Sequence, residues 1–219
     1  MGIAPPIVNP SEDPLAPEDT PLRQLVRHWQ NERHAPNILP GQELTLGAIL
    51  DHIRRQSSTV QLLRSDPNSS EDEHFRIMLA QTEIERVKFV VRSYIRTRLF
   101  KIEKYARHIV NTPEVQERLS QTEFDHAKRF AQITENHFQI SVLQSLPPDQ
   151  RGLNDEAAFV PPMIPAPDNS RAVFVHARED CPPVRLPDGN SLTIKKGHIV
   201  LTPYAVVEQL LAIGNVDLI

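Results

Sequence analysis

Between residues 73 and 110, apolar side chains recur at steps of three, four and seven: Ile77, Ile84, Val87, Val91, Tyr94, Ile95, Leu99, Ile102 and Ile109. On a helix of 3.6 residues per turn those positions share one stripe. The segment would run about 57 Å at about 1.5 Å per residue, longer than a small domain is wide. Phe75, Met78, Phe89, Val90, Phe100, Tyr105 and Val110 fall off the main stripe, so the helix is apolar on more than one side. A helix of that kind packs against more than its own domain, and the first inference is a scaffold that binds partner chains.

The flanking sequence divides around this helix. Thr20-Pro21 predicts an N-cap with proline at the first helical position, followed by an apolar face of Leu22, Leu25, Val26 and Trp29 that ends at Pro36. A second helix is predicted over about 45–63, with Leu46, Ile49, Leu50, Ile53, Val60 and Leu63 inward. Asp66-Pro67-Asn68 reads as a turn, and Ser70 with Glu73 as the capping box that opens the long helix. Thr112-Pro113 restarts a short helix. Ser120 with Glu123 caps a last one, buried through Phe124, Ala127, Ala131, Phe138 and Val142. Residues 20–145 thus read as a helical domain.

Residues 1–19 hold Pro5, Pro6, Pro10, Pro14 and Pro17 among acidic and small residues, and are expected to be a disordered tail. Residues 146–168 hold six prolines and predict an extended linker, since proline fixes φ and removes a backbone donor. The periodicity then changes to that of strands, over 171–176, 192–194 and 198–201, with turns at Asp188-Gly189-Asn190 and Lys196-Gly197. Pro203 opens a short helix with Val206, Val207, Leu210 and Leu211 inward, Gly214 ends it, and 216–219 are an apolar C-terminus. The fold class expected is therefore mainly α, a helical bundle with one long central helix and a small β-rich domain over 169–219. A unit of about 50 residues has a near-zero folding balance alone, so it should dock on the bundle or on a partner.

Composition narrows the function. A net charge of −4 argues against a general nucleic-acid binder. Cys181 is the sole cysteine, which excludes an intrachain disulfide and multi-cysteine zinc sites, and fits a reducing compartment. No run of 18 apolar residues and no signal-peptide pattern is present, so no membrane association or secretion is expected. The sequence has no glycine-rich phosphate loop, nucleophile elbow or HExxH, and its nine histidines are scattered. Cys181 precedes Pro182-Pro183 and reads as a structural or surface thiol. No catalytic residue, metal set or cofactor site is therefore assigned.

One basic concentration stands out. Arg86, Lys88, Arg92, Arg96, Arg98, Lys101, Lys104 and Arg107 fall within 22 residues, against Glu85 and Glu103. A solvated, ion-paired helix face, a protein interface and a nucleic-acid contact all fit, the last being the alternative function class of a helical nucleic-acid-binding protein. Trp29 with Arg33 is likewise either a core tryptophan beside a surface arginine or an interface anchor pair.

These residues also carry a resemblance. The run Trp29-Gln30-Asn31-Glu32-Arg33-His34-Ala35-Pro36-Asn37-Ile38-Leu39-Pro40 resembles the tryptophan-to-APxLLP signature of the Sld-five family of subunits of the eukaryotic GINS complex. Glu83-Ile84-Glu85-Arg86-Val87, Tyr94-Ile95-Arg96-Thr97-Arg98-Leu99 and Lys101-Ile102-Glu103-Lys104-Tyr105 are similar to the family's central helix. The ending from Lys196-Gly197 through Tyr204 to Gly214-Asn215-Val216-Asp217-Leu218-Ile219 is similar to its C-terminal strand-and-helix module. Two features depart from the family: the proline-rich tail lacks a clear acidic–apolar peptide, and Pro203 stands where some relatives have a basic residue.

The resemblance implies a nuclear, non-catalytic scaffold in a heterotetramer with three sister GINS subunits. That complex would join the minichromosome-maintenance helicase ring and a RecJ-like helicase cofactor, and would help connect them to polymerase epsilon and a replisome hub protein. Little or no direct DNA binding is implied. The candidate partner interface is Trp29, Arg33, Tyr94, Arg98, Leu99, Ile102, Tyr105, Val216, Leu218 and Ile219.

Overall fold

The computed structural model describes residues 20–65, 70–152, 164–186 and 189–219. The expected tail over 1–19, the Asp66-Pro67-Asn68 turn, the 153–163 part of the linker, and Asp188 of the second turn lie outside them.

The helix starts follow local capping chemistry. Thr20 Oγ1 accepts from Arg23 N at 3.4 Å and opens α1 (Pro21–His34), with proline where no intrahelical donor is required. After α2 (Glu43–Arg64), Ser70 Oγ accepts from Glu73 N at 3.3 Å, and Ser70 N donates back to the Glu73 carboxylate at 2.8 Å. This reciprocal pair opens α3 (Glu71–Lys104), about 51 Å long at 1.5 Å per residue.

The expected single helix to residue 110 instead bends at Tyr105 (φ −109°, ψ 20°) and continues as α4 (Ala106–Asn111). The bend carries Ile109, 1 % exposed, onto the helical layer that follows. There α5 (Pro113–Gln116) leads to a second capping box, Ser120 with Glu123, at the head of α6 (Gln121–Ser141).

Two apolar clusters hold the helices. Leu25, Ile49, Ile53, Val91 and Tyr94 join α1, α2 and α3. Ile38, Ile102, Tyr105, Ile109 and Ala127 join the α1–α2 loop, the α3–α4 bend and α6. Some residues expected inward face solvent. Leu50 lies about 100° round the helix from buried Ile49, and Leu63, Phe138 and Val142 sit exposed at the far ends of α2 and α6.

The C-terminal unit is a three-stranded antiparallel sheet in the order β4-β1-β5, with β1 (Ala172–Ala177) central. It pairs with β4 (Ile199–Pro203) at Phe174↔Leu201 and with β5 (Val216–Leu218) at His176↔Asp217. The 192–194 strand is shorter than expected. Here β2 (Val184–Arg185) and β3 (Ser191–Leu192) form a separate ribbon, while Ile194 turns fully into the core and its carbonyl accepts from Cys181 N. Pro203 ends β4 and caps α7 (Tyr204–Ile213) rather than lying within it. Gly214 closes α7 at φ +89°, a left-handed position that only glycine adopts without steric cost.

The sheet unit docks on the helices. Ala35, at the end of α1, belongs to the cluster formed by Val173, Val175, Tyr204, Val207 and Leu218. Asn31 Nδ2 donates to Asp217 Oδ1 at 3.1 Å, and Leu218 N donates to Asn31 Oδ1 at 2.8 Å. On the other side Asn37 Nδ2 donates to Glu208 Oε1 at 2.8 Å, and Arg118 approaches the same carboxylate at 3.3 Å. The bundle thus supplies the burial that the small unit lacks.

Candidate functional site

The inward stripe of α3 carries two charges among its apolar residues. Arg98 follows Tyr94 by four and Val91 by seven, which directs it into the bundle, where it is 2 % exposed. Its guanidinium donates to both carboxylate oxygens of Glu123 at 2.7 and 2.8 Å, to Glu32 Oε2 at 3.1 Å, to Leu39 O at 2.6 Å and to Arg118 O at 3.2 Å. One turn on, the Lys101 ammonium donates to Glu32 Oε1 at 2.9 Å, to Asn37 O at 2.8 Å and to Glu32 O. Glu32 itself is 1 % exposed and sits on the Leu25–Trp29 face of α1.

Burial alone would lower the affinity of Arg98 for its proton, but Glu123 and Glu32 outweigh it and hold the group above its ordinary value. Burial would likewise raise the Glu123 carboxyl, yet the Arg98 contacts hold it below the usual range. This satisfied network ties α1, the α1–α2 loop, α3 and α6 together. It offers no free acid, base or nucleophile.

The expected interface residues divide by placement. Tyr94, Arg98, Ile102, Tyr105, Val216 and Leu218 are buried within this chain, at 8 % exposure or less. They are core residues of this chain, with almost no side-chain surface exposed. Trp29 and Leu99 are half-buried, and Arg33 and Ile219 are exposed. Trp29 packs edge-on to Phe89 with ring centroids 6.4 Å apart, and its Nε1 donates to Thr97 Oγ1 at 3.2 Å.

The surface that is available lies on the other flank of α3. Phe75, Met78, Leu79, Phe89 and Phe100 are 56–67 % exposed and recur near multiples of one helical turn. Stacked along one flank of a long helix, they form the kind of apolar surface that marks an interaction site. The sequence signal was present, because four of the five fall off the main stripe.

Six of the eight stripe cations are already ion-paired within the chain. Arg86 meets Glu83, Lys88 and Arg92 meet Glu85, Arg98 meets Glu32 and Glu123, Lys101 meets Glu32, and Arg107 meets Glu135. That pattern is a cross-linked helix face and not a continuous cationic track.

Among the described residues no cluster of three or more His, Cys, Asp or Glu could hold a metal ion, and no helix is long and apolar enough to cross a membrane. Cys181 is buried in the sheet cluster, and burial pushes its thiol up, away from the reactive thiolate.

Comparison with known proteins decides what this arrangement belongs to. The family described as GINS complex protein helical bundle domain matches residues 47–141, and the family described as DNA replication complex GINS protein SLD5 C-terminus matches 167–219. The chain is 35 % identical to the DNA replication complex GINS protein sld5 of Schizosaccharomyces pombe, over 94 % of its own length and 95 % of that protein's. The chain belongs to the SLD5 family of GINS proteins. It is 33 % identical to the SLD5 protein of Chaetomium globosum over 97 % of its length, and 30 % identical to that of Arabidopsis thaliana over 89 %.

In SLD5 terms, the bundle match begins inside α2 and runs to the end of α6. It thus holds Arg98, Lys101 and Glu123, while Glu32, the anion that completes their network, comes from α1 outside it. The C-terminal SLD5 match spans the whole sheet unit.

Proposed function

We propose that this chain is a non-catalytic scaffold subunit of a nuclear, heterotetrameric GINS complex that acts in DNA replication, and that the exposed flank of α3 is its main assembly surface. The observation that carries the reading is the row Phe75, Met78, Leu79, Phe89 and Phe100, each more than half exposed in a chain whose curated SLD5 relatives span nearly its full length. Fully burying such a side chain contributes about 1.5–3 kcal/mol, so the five, at roughly 60 % exposure, would give about 5–9 kcal/mol gross.

Association costs about 4–15 kcal/mol in lost freedom, so this row needs help from further surface. Exposed Ile133 and Ile140 on α6 share a face and are the natural second patch. Trp29, Arg33, Leu99 and Ile219 border the assembly surfaces in this reading. The buried ion network has a supporting role: it fixes the path of α3, and so the line of the exposed row. The family resemblance extends the proposal to contact between the assembled complex and the minichromosome-maintenance ring, a RecJ-like cofactor, polymerase epsilon and a replisome hub.

Co-expression with three sister GINS subunits, followed by size-exclusion chromatography with mass determination, tests the assembly. A stoichiometric 1:1:1:1 particle is expected. A stable monomer in the presence of all three would overturn the proposal.

A further inference from the structure

Arg96 and Lys104, the two of the eight clustered α3 cations that have no carboxylate partner among the described residues, face the same cleft. It lies where the helical and sheet units meet, has a volume of about 410 Å³, and is walled by Arg33, Arg96, Phe100, Lys104, Tyr105 and Arg171. That volume is within the range of specific ligand pockets. Arg33 comes from the last turn of α1, Arg96 and Lys104 from α3, and Arg171 from the approach to β1, so the cleft exists only because the units dock.

Among the described residues, none of these four cations has an ion-pair partner. Lys104 Nζ rests 5.1 Å from the centre of the Tyr105 ring. Arg171 acts electrostatically on Asp168, whose carboxylate already accepts from Ser170 N and Oγ. The cleft's field also reaches His34, whose imidazole is held below its ordinary value by burial first and then by Arg33 and Arg171. Phe100, 67 % exposed, adds an apolar wall beside these charges.

Four cations without an ion-paired carboxylate around one concavity repel one another until an anion arrives, and arginine's planar fork suits a carboxylate. The rest of the surface argues against a polynucleotide. The chain is net −4, and the other six stripe cations are paired, so among the described residues the stripe gives no unpaired track leading from the cleft along which a phosphate backbone could run.

We propose that this cleft docks an extended acidic segment of a partner protein, with at least two carboxylates on Arg33, Arg96 and Arg171 and one aromatic or apolar side chain against Phe100. The site shares Phe100 with the apolar row used for assembly, but its arginines lie outside that row, so loss of peptide binding and loss of assembly are read separately.

The test uses the full chain and three fluorescein-labelled probes in anisotropy titrations at low salt. They are a seven-residue peptide of six alternating Asp and Glu around a central Phe, the same peptide with Asn and Gln in place of the acids, and a 12-nucleotide oligothymidylate. The acidic peptide is expected to bind, to weaken steeply with added salt, and to weaken at least tenfold with Arg96→Glu/Arg171→Glu and severalfold with Phe100→Ser. Arg54→Glu, on α2 away from the cleft, should leave binding unchanged, and Arg96→Lys/Arg171→Lys should retain most of it. If the charge-reversed chain does not fold, Arg96→Gln/Arg171→Gln decides in its place. Equal binding of the amide peptide, no binding of the acidic peptide, or preferential binding of the oligothymidylate through the same arginines would each overturn the proposal.

Discussion

Replacing Arg98 with methionine should be among the most damaging single changes on α3. The substitution keeps most of the volume of the side chain and removes its charge and all five of its hydrogen bonds. Glu32 would then be left with Lys101 and the Leu39 backbone N–H, and the carbonyls of Leu39 and Arg118 would lose a buried donor. Breaking a buried ion pair by removing one partner costs about 3–5 kcal/mol, because the remaining charge stays desolvated. For a chain of this size that corresponds to a fall of roughly 6–20 °C in melting temperature. Arg98→Lys should fall between, since it keeps the charge and loses the fork.

Urea denaturation of the full chain, followed by circular dichroism, gives the free energies. The exposed pair Arg86–Glu83, with side chains 70 % and 54 % exposed, provides the control. Arg86→Met should cost no more than about 1 kcal/mol. A double-mutant cycle with Glu32→Gln should show coupling of up to about 3 kcal/mol, because the second loss matters less once the first has occurred. An Arg98→Met cost below about 1 kcal/mol, or strict additivity with Glu32→Gln, would refute the idea that this network ties the helices together.

Further outcomes follow from the same geometry. Ser120→Ala removes one half of a capping box and should cost about 1 kcal/mol in the same denaturation assay. It should exceed Ser70→Ala, because the Ser120 hydroxyl accepts from the backbone N–H of Glu123, whose carboxylate holds Arg98, while Ser70 caps an exposed helix start. Because Glu123 is held below its ordinary value in the folded state, its contribution is present above about pH 4.5. It should fade as the pH drops through the depressed value, so Glu123→Gln should flatten the acid limb of stability plotted from pH 7 to 3; an unchanged limb would argue against it. Asn31→Ala breaks both polar links to β5 and should raise amide hydrogen exchange in 216–219 and β1 before it affects α2 or α3. Uniform exchange changes would show that the sheet unit is not tethered there.

What the sequence revealed was mostly local. The two capping boxes, the Thr20-Pro21 start and the inward stripe of α3 depend on residues a few positions apart, and each forms as read, except that Ile95 of the stripe is exposed. The strand at 216–218 was legible only as an apolar C-terminus, since its three residues become a strand by pairing with Val175–Ala177 some forty positions away. The same limit governs the candidate interface. Periodicity defines the two apolar flanks of α3 but does not say which one the chain itself will cover. The more regular flank, with Tyr94, Arg98 and Ile102, is the core, while the sparser phenylalanine row stays outside. A signal for the ion network did exist. Arg98 sits in register with Val91 and Tyr94, and Glu32 in register with Leu25 and Trp29, and a charge on an apolar stripe calls for a partner on another.

The most direct test of the central claim is the assembly of Phe75→Asp/Leu79→Asp with the three sister subunits, measured by co-purification and mass determination beside the unaltered chain. Both side chains are more than half exposed, so the isolated variant should keep its helical circular dichroism and its melting temperature. The account predicts a folded variant that no longer enters the 1:1:1:1 particle. A folded variant that assembles fully would contradict the claim that this flank of α3 holds the complex together.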